Sequence, residues 1–256
     1  MSAISKKRRT NFVSFSGIDG AGKSTQIDSL CARMREHGLR VRVITFWDNI
    51  ARLTSLREGT GHRVFKGEKG VGSPDNPVNR MDKNVQSFPM TCVRLFLYSV
   101  DAVSVRLAYN KAAQSAEDVL IVFDRYIYDE FANLNLSHPI IRAFVRMLMR
   151  VVPRPDISYV LDADPVKARA RKPEYPLEFL HINRQAYLTL AKLIGGVTII
   201  DPMGIEQVKQ AVLGHALTDL PFFKSHKSEQ GGIEIPRDNV AASSNLDRTQ
   251  TRPAAY

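Results

Sequence analysis

Eight residues constrain this chain more than any others: Gly17-Ile18-Asp19-Gly20-Ala21-Gly22-Lys23-Ser24 fits the spacing G-x-x-x-x-G-K-[ST]. The stretch before it, residues 11–16 (NFVSFS), alternates and is rich in Phe and Val, as a strand would be. Behind it, Ile27, Leu30, Cys31 and Met34 fall at helical spacing, and Gly38 sits where a helix ends. A glycine-rich turn between a strand and a helix is the context this motif requires. The glycines let backbone N–H groups curl around a polyphosphate, and the helix N-terminus adds its partial positive charge. The bare pattern arises by chance in about one chain of this length in a hundred, and the flanking elements lower that further. Gly17, Gly20, Ala21, Gly22, Lys23, Ser24 and Thr25 are therefore read as the ATP-binding P-loop. Lys23 reaches the β- and γ-phosphates and the Ser24 hydroxyl ligates Mg²⁺.

The rest of the chain supplies a sheet for that loop. Residues 40–46 read as a second strand, 119–123 as a continuous apolar run buried on both faces, 157–161 as a fourth strand and 197–200 as a fifth. Helical patterns lie at 23–37, 91–114, 126–134, 139–151 and 205–217, with a basic helical segment between the fourth and fifth strands. Strands alternating with helices predict an α/β, three-layer P-loop NTPase fold, with a parallel sheet of about five strands and helices on both faces. Domain limits follow from composition: a basic arm over 1–10, a kinase domain over 11–220, and a tail over 221–256 in which apolar periodicity vanishes and disorder is expected. Inside the domain, a Gly- and Pro-containing stretch at 59–90 reads as a long loop, and 165–178 as a lid.

Two further groups bear chemistry. The third strand ends in Asp124-Arg125, at the edge where parallel sheets bind ligands. Asp124 can hold Mg²⁺ through water or orient the accepting oxygen, and Arg125 can clamp a phosphate bidentately. After the fourth strand come Lys167, Arg169, Arg171 and Lys172, close to Pro165, Pro173 and Pro176. A mobile arginine there can cover the charge that spreads over a moving phosphoryl group, although a solvated helix face explains the same pattern.

Charge and composition exclude other classes. The net charge of +10 attracts anions generally, but the cations are scattered through several segments. Arg142, Arg146 and Arg150 recur every fourth residue and read as a solvated helix face rather than a nucleic-acid stripe. No run is long enough for a membrane span, and Lys6-Lys7-Arg8-Arg9 has no apolar stretch behind it to make a secretory signal. Both cysteines, Cys31 and Cys92, read as buried thiols in a reducing cytoplasm.

These pieces, in this order, resemble the thymidylate kinase family of nucleoside monophosphate kinases. The resemblance rests on FSGIDGAGKSTQ (residues 15–26), LFLYSVDA (95–102), VLIVFDRY (119–126) and LDADPVKARAR (161–171), and spans residues 11–217. It implies that Asp19 binds the sugar hydroxyl of the acceptor, that Tyr98 stacks on its base, and that Asp124-Arg125 serves the acceptor phosphate and magnesium. Gly20 stands where some members place an arginine, which implies a catalytic Arg169 or Arg171 from the lid. The family is often dimeric. Departures cluster at the acceptor: Phe46-Trp47-Asp48-Asn49 replaces the family's Arg-Glu-Pro, and Ala102 replaces an arginine. Asp129, Asn133 and Leu134 replace a serine, a tyrosine and a glutamine. Asp48 then joins Asp19, Tyr98 and Arg125 as a candidate acceptor contact. The phosphate-donor side is kept and acceptor recognition is rewritten. Deoxythymidylate is the first candidate, with another small metabolite or a nucleotide-binding regulatory role as alternatives.

Overall fold

The computed structural model describes residues 10–50, 88–114 and 118–229. Residues 1–9 of the basic arm, most of the 59–90 loop and residues 230–256 lie outside the described residues.

Strands β1 (Thr10–Ser16), β2 (Arg40–Thr45), β3 (Val119–Asp124), β4 (Ile157–Leu161) and β5 (Val197–Ile200) form one sheet in the order β2-β3-β1-β4-β5. Every pairing is parallel. β3 is buried along its length up to Asp124, which is why its sequence is a continuous apolar run rather than an alternating one. Alternation survives in which face each side chain serves. Phe12, Val119, Ile121 and Phe123 join one core, while Val13, Phe15, Leu120 and Val122 join the other.

The first core is covered by α2 (Phe88–Ala113), α3 (Ile127–Phe131), α4 (Pro139–Val151) and α6 (Leu177–Ile194). The second is covered by α1 (Lys23–Glu36) and α7 (Ile205–Asp219). This is the three-layer arrangement expected from the alternation of elements. Between β4 and α6 lies the short α5 (Pro165–Arg171), capped by Asp164, whose carboxylate accepts from the Val166 and Lys167 amides.

Two expectations are corrected. Residues 221–229, assigned to the tail, form α8 (Pro221–Glu229). Phe222 and Phe223 pack on the second core, and the Phe222 amide donates to the buried Asn11 Oδ1 at 2.9 Å. Two aromatics and one buried amide hold what a periodicity count misses. Cys92 is exposed, not buried. On α2 the buried stripe runs through Leu97, Tyr98, Asp101, Ala102 and Val105, and Cys92 lies on the opposite face with Phe96, Val103 and Leu107. Cys31 is buried as expected, and Arg142, Arg146 and Arg150 are exposed along α4.

Candidate active site

The C-terminal ends of β1 and β3 are neighbours, with Phe15 in register with Asp124. The loop that follows β1 and the turn that follows β3 therefore open into one crevice, as parallel topology requires. Gly17, Gly20 and Gly22 all have positive φ, and Gly22 is the left-handed cap from which α1 starts. Residues with a Cβ would strain this path, so the glycines of the motif are a backbone requirement.

Lys23 sits inside this turn, 7% exposed, with its Nζ donating to the Gly17 and Ile18 carbonyls at 2.7 and 2.9 Å. Burial and the cation of Arg125 push its ammonium down to about 8, against the pull of Asp19, Asp129 and Asp124. Ser24 and Thr25 are exposed on the first turn of α1. Asp124, at the end of β3, is part-buried and contributes to the field at Lys23.

Arg125 is the single non-glycine residue with positive φ (66°) among the described residues. A left-handed arginine is uncommon and needs its surroundings to hold it. Its amide donates to the Phe15 carbonyl at 3.1 Å, tying the turn to β1. Its guanidinium lies between two carboxylates: Nη2 donates to Asp19 Oδ1, and Nη1 donates to Asp129 Oδ1 at 3.4 Å. Burial alone would raise Asp19, but Arg125, Lys23 and Lys172 outweigh it and hold the carboxyl below its ordinary value. Burial works against the Arg125 cation, but Asp129 and Asp19 more than compensate and raise it further.

Asp129 is 6% exposed and collects donors from three elements. Oδ2 accepts from Ser16 Oγ at 2.6 Å and from the Tyr126 amide at 3.2 Å. Oδ1 accepts from the Tyr187 hydroxyl at 2.7 Å as well as from Arg125. Burial and the Asp129 charge push the Tyr187 phenol well up, so it stays a donor. In the sequence Asp129 stands out only as a substitution. The signal that identifies it is the convergence of donors, which needs coordinates.

The segment expected to be a lid lies directly on the loop. A Cβ at Gly20 would overlap the Ala168 carbonyl oxygen of α5, and one at Gly22 would lie 3.9 Å from Arg171 Nη1. Lys172 Nζ is 4.0 Å from Asp19 Oδ1 and 3.2 Å from Glu174 Oε2. Of the two lid arginines, Arg171 is the one beside the P-loop glycine. Behind the lid, Arg184 Nε and Nη2 donate to both oxygens of Asp162 at 2.6 Å, anchoring α6 to the end of β4.

The acceptor-side expectations fare unevenly. Asp19 and Arg125 are brought together. Tyr98 is 4% exposed within the first core, so its ring is not offered openly to a base. Asp48 is exposed, on a π-helical turn over Phe46–Ile50 that follows β2, the strand beyond β3. Asn133 and Leu134 line a cavity of about 220 Å³ between the end of α3 and α6, with Phe179, Asn183 and Ala186.

A glycine-rich P-loop after the central strand of a 2-3-1-4-5 parallel sheet, faced by an Asp-Arg strand end and a basic helical segment, defines a P-loop phosphotransferase. A family profile described as the methylmalonyl Co-A mutase-associated GTPase MeaB matches residues 1–51, the strand, loop and helix that P-loop proteins share. Over most of the chain the similarity is to other proteins. A probable thymidylate kinase of Methanosphaera stadtmanae is 26% identical over 203 residues, covering 78% of this chain and 93% of the relative. One of Pyrobaculum aerophilum is 29% identical over 194 residues, covering 70% and 82%. The fold matches solved thymidylate kinases of Candida albicans (TM-score 0.54, 18% identity, 82% of this chain and 92% of that one) and Ehrlichia chaffeensis (0.51, 17%, 80% and 97%). Over most of its length, then, the chain is similar to thymidylate kinases in sequence and in fold. It is a nucleotide-binding kinase, and among the described residues no helix is long and apolar enough to cross a membrane.

Proposed function

We propose that this kinase transfers the γ-phosphoryl group of ATP to a nucleoside monophosphate, with deoxythymidylate as first candidate acceptor. The observation that carries the reading is that Lys23, buried where the loop after β1 enters α1, and Arg125, directly after the adjacent β3, meet at one crevice. The loop amides and Lys23 would hold the donor phosphates. Arg125 would take the acceptor phosphate, exchanging Asp19 for it. Asp19, released, would be free to accept from the acceptor's sugar hydroxyl. Arg171, beside Gly22, is favoured over Arg169 to cover charge developing on the transferred group. The exposed Ser24 hydroxyl and the Asp124 carboxylate are hard oxygen donors that fit Mg²⁺, which would neutralise phosphate charge when bound.

Solution in the cytoplasm suits a nucleotide kinase, and a homodimer suits the exposed Phe96, Val103 and Leu107 on one face of α2. The test is ADP release from Mg·ATP against a panel of nucleoside monophosphates. Turnover that needs both an acceptor and Lys23 supports the reading; acceptor-independent or Lys23-independent ADP release refutes it.

A second reading, a kinase of another small phosphate-bearing metabolite, is favoured by one observation. The rewritten positions do not reproduce an open base site: Asp129 is committed to internal donors and Tyr98 is buried. Turnover with such a metabolite and none with any nucleotide would select it.

A further inference from the structure

We propose that Asp129 is the positioning residue for Arg125: a fixed inner counter-charge that orients the guanidinium and leaves its outer side to an anionic acceptor. The inference rests on the reading of Arg125 as the acceptor-phosphate ligand.

The asymmetry between the two carboxylates carries it. Asp19 lies on the P-loop with its side chain 16% exposed and depends on Arg125 and the lid residue Lys172. It can leave Arg125 without stranding a buried donor. The Asp129 side chain is 6% exposed and cannot move. Ser16 Oγ holds it to the end of β1, the Tyr126 amide holds it to the first turn of α3, and the Tyr187 hydroxyl holds it to α6. Releasing it would strand a buried carboxylate and leave donors on three elements without a partner. The Arg125 backbone is itself constrained, with φ 66° and its amide fixed on Phe15. A guanidinium on a constrained backbone, with Nη1 anchored inward, presents Nη2 in one direction. An incoming phosphate replaces Asp19 at Nη2, and the Nη1–Asp129 contact persists. Because Asp129 is tied to Tyr187 on α6, which follows the lid, the same carboxylate couples the aim of Arg125 to the placement of that helix.

Substitution to asparagine isolates the charge. All four partners of Asp129 donate, so an amide nitrogen must face two of them. Each oxygen serves one hydroxyl that can turn and accept, Tyr187 on one side and Ser16 on the other, and one group that can only donate; of those two, the Tyr126 amide is fixed in the backbone, whereas the Arg125 guanidinium can swing away from the nitrogen. The stable orientation therefore puts the nitrogen toward Tyr187 and Arg125, and D129N releases Arg125 in particular. Asp129→Ser removes the same counter-charge by shortening the side chain, giving an independent repeat. Tyr187→Phe is the contrast: it deletes one buried hydrogen bond but keeps the carboxylate.

The experiment measures solvent exchange of the Arg125 guanidinium protons by ¹⁵N NMR, with the signal assigned by its loss in R125K. It is paired with KM and kcat for ATP and deoxythymidylate. Expected are exchange about tenfold faster in D129N and D129S but within about twofold of wild type in Y187F, as the loss of one charged partner implies. Deoxythymidylate KM should rise about tenfold in D129N, with ATP KM within about twofold. A merely structural role would move both KM values together, or would disturb Y187F as much as D129N, and either result overturns the proposal. So does an Arg125 signal unchanged in D129N and D129S. If wild type fails to phosphorylate deoxythymidylate while D129N still frees Arg125, the acceptor reading falls and the positioning role stands.

Discussion

Binding of ATP should weaken steeply in mildly alkaline solution, because the lysine proposed to meet its phosphates is buried with a depressed proton affinity. Lys23 titrates at about 8 in the free protein. Burial and Arg125 disfavour its charged form, whereas bound polyphosphate would restore it. With that value the side chain is about nine-tenths protonated at pH 7 and about one-tenth at pH 9, so the apparent Kd for ATP should rise about tenfold between them. An ordinary lysine near 10.4 would lose only about 4% of its charge over that range. The sign is the reverse for folding: the unfolded chain binds this proton up to the ordinary lysine range, so the stability contribution of Lys23 increases as pH rises above about 8. Calorimetric titration of ATP from pH 7.5 to 9.5 reads the effect above the second phosphate ionisation. Lys23→Met should bind ATP weakly with no pH dependence. A wild-type Kd that stays flat across this range, or an equal slope in Lys23→Met, would refute the reasoning.

Other consequences can be checked one by one. Arg171→Ala should lower kcat by about a hundredfold and Arg169→Ala by less than tenfold, since Arg171 is the one beside Gly22; single-turnover rates decide it. Gly20→Ala combines a positive φ with overlap on the Ala168 carbonyl and should cost about 1–3 kcal/mol of lid-down packing, seen as a raised KM for ATP. Phe222→Ala should lower the stability by about 2–4 kcal/mol in a urea titration without changing ATP affinity, because α8 packs on the core away from the crevice. Arg184→Ala strands the Asp162 carboxylate and should lower Tm, with Asp162→Asn costing less.

How far the sequence reaches follows from the physics of each element. The P-loop is legible because a polyphosphate cradle leaves few alternatives: three left-handed backbone positions demand glycine, and the lysine and serine spacing is fixed by the helix start. β3 is legible because burial on both faces leaves an unbroken apolar run. The acceptor side is not, because its residues act through tertiary meetings. Asp129 carries no motif and gains its meaning from Ser16, 113 residues earlier, and Tyr187, 58 residues later. Tyr98 matches a stacking position by similarity, yet helix phase puts it on the buried stripe of α2. Asp48 is acidic and near the right strand but ends on an exposed turn. Residues 221–229 look like tail because their anchoring is two phenylalanines and a hydrogen bond to Asn11, 211 positions away.

Phosphoryl transfer itself is tested most directly by product identity. The protein is mixed with Mg·ATP carrying a labelled γ-phosphate and with deoxythymidylate, and the nucleotides are separated and weighed by mass spectrometry, with Lys23→Ala alongside. The expected result is one labelled deoxythymidine diphosphate for each ADP formed, lost in Lys23→Ala. Label appearing only as free phosphate, or equal transfer by Lys23→Ala, would contradict the assignment of this site as a nucleoside monophosphate kinase.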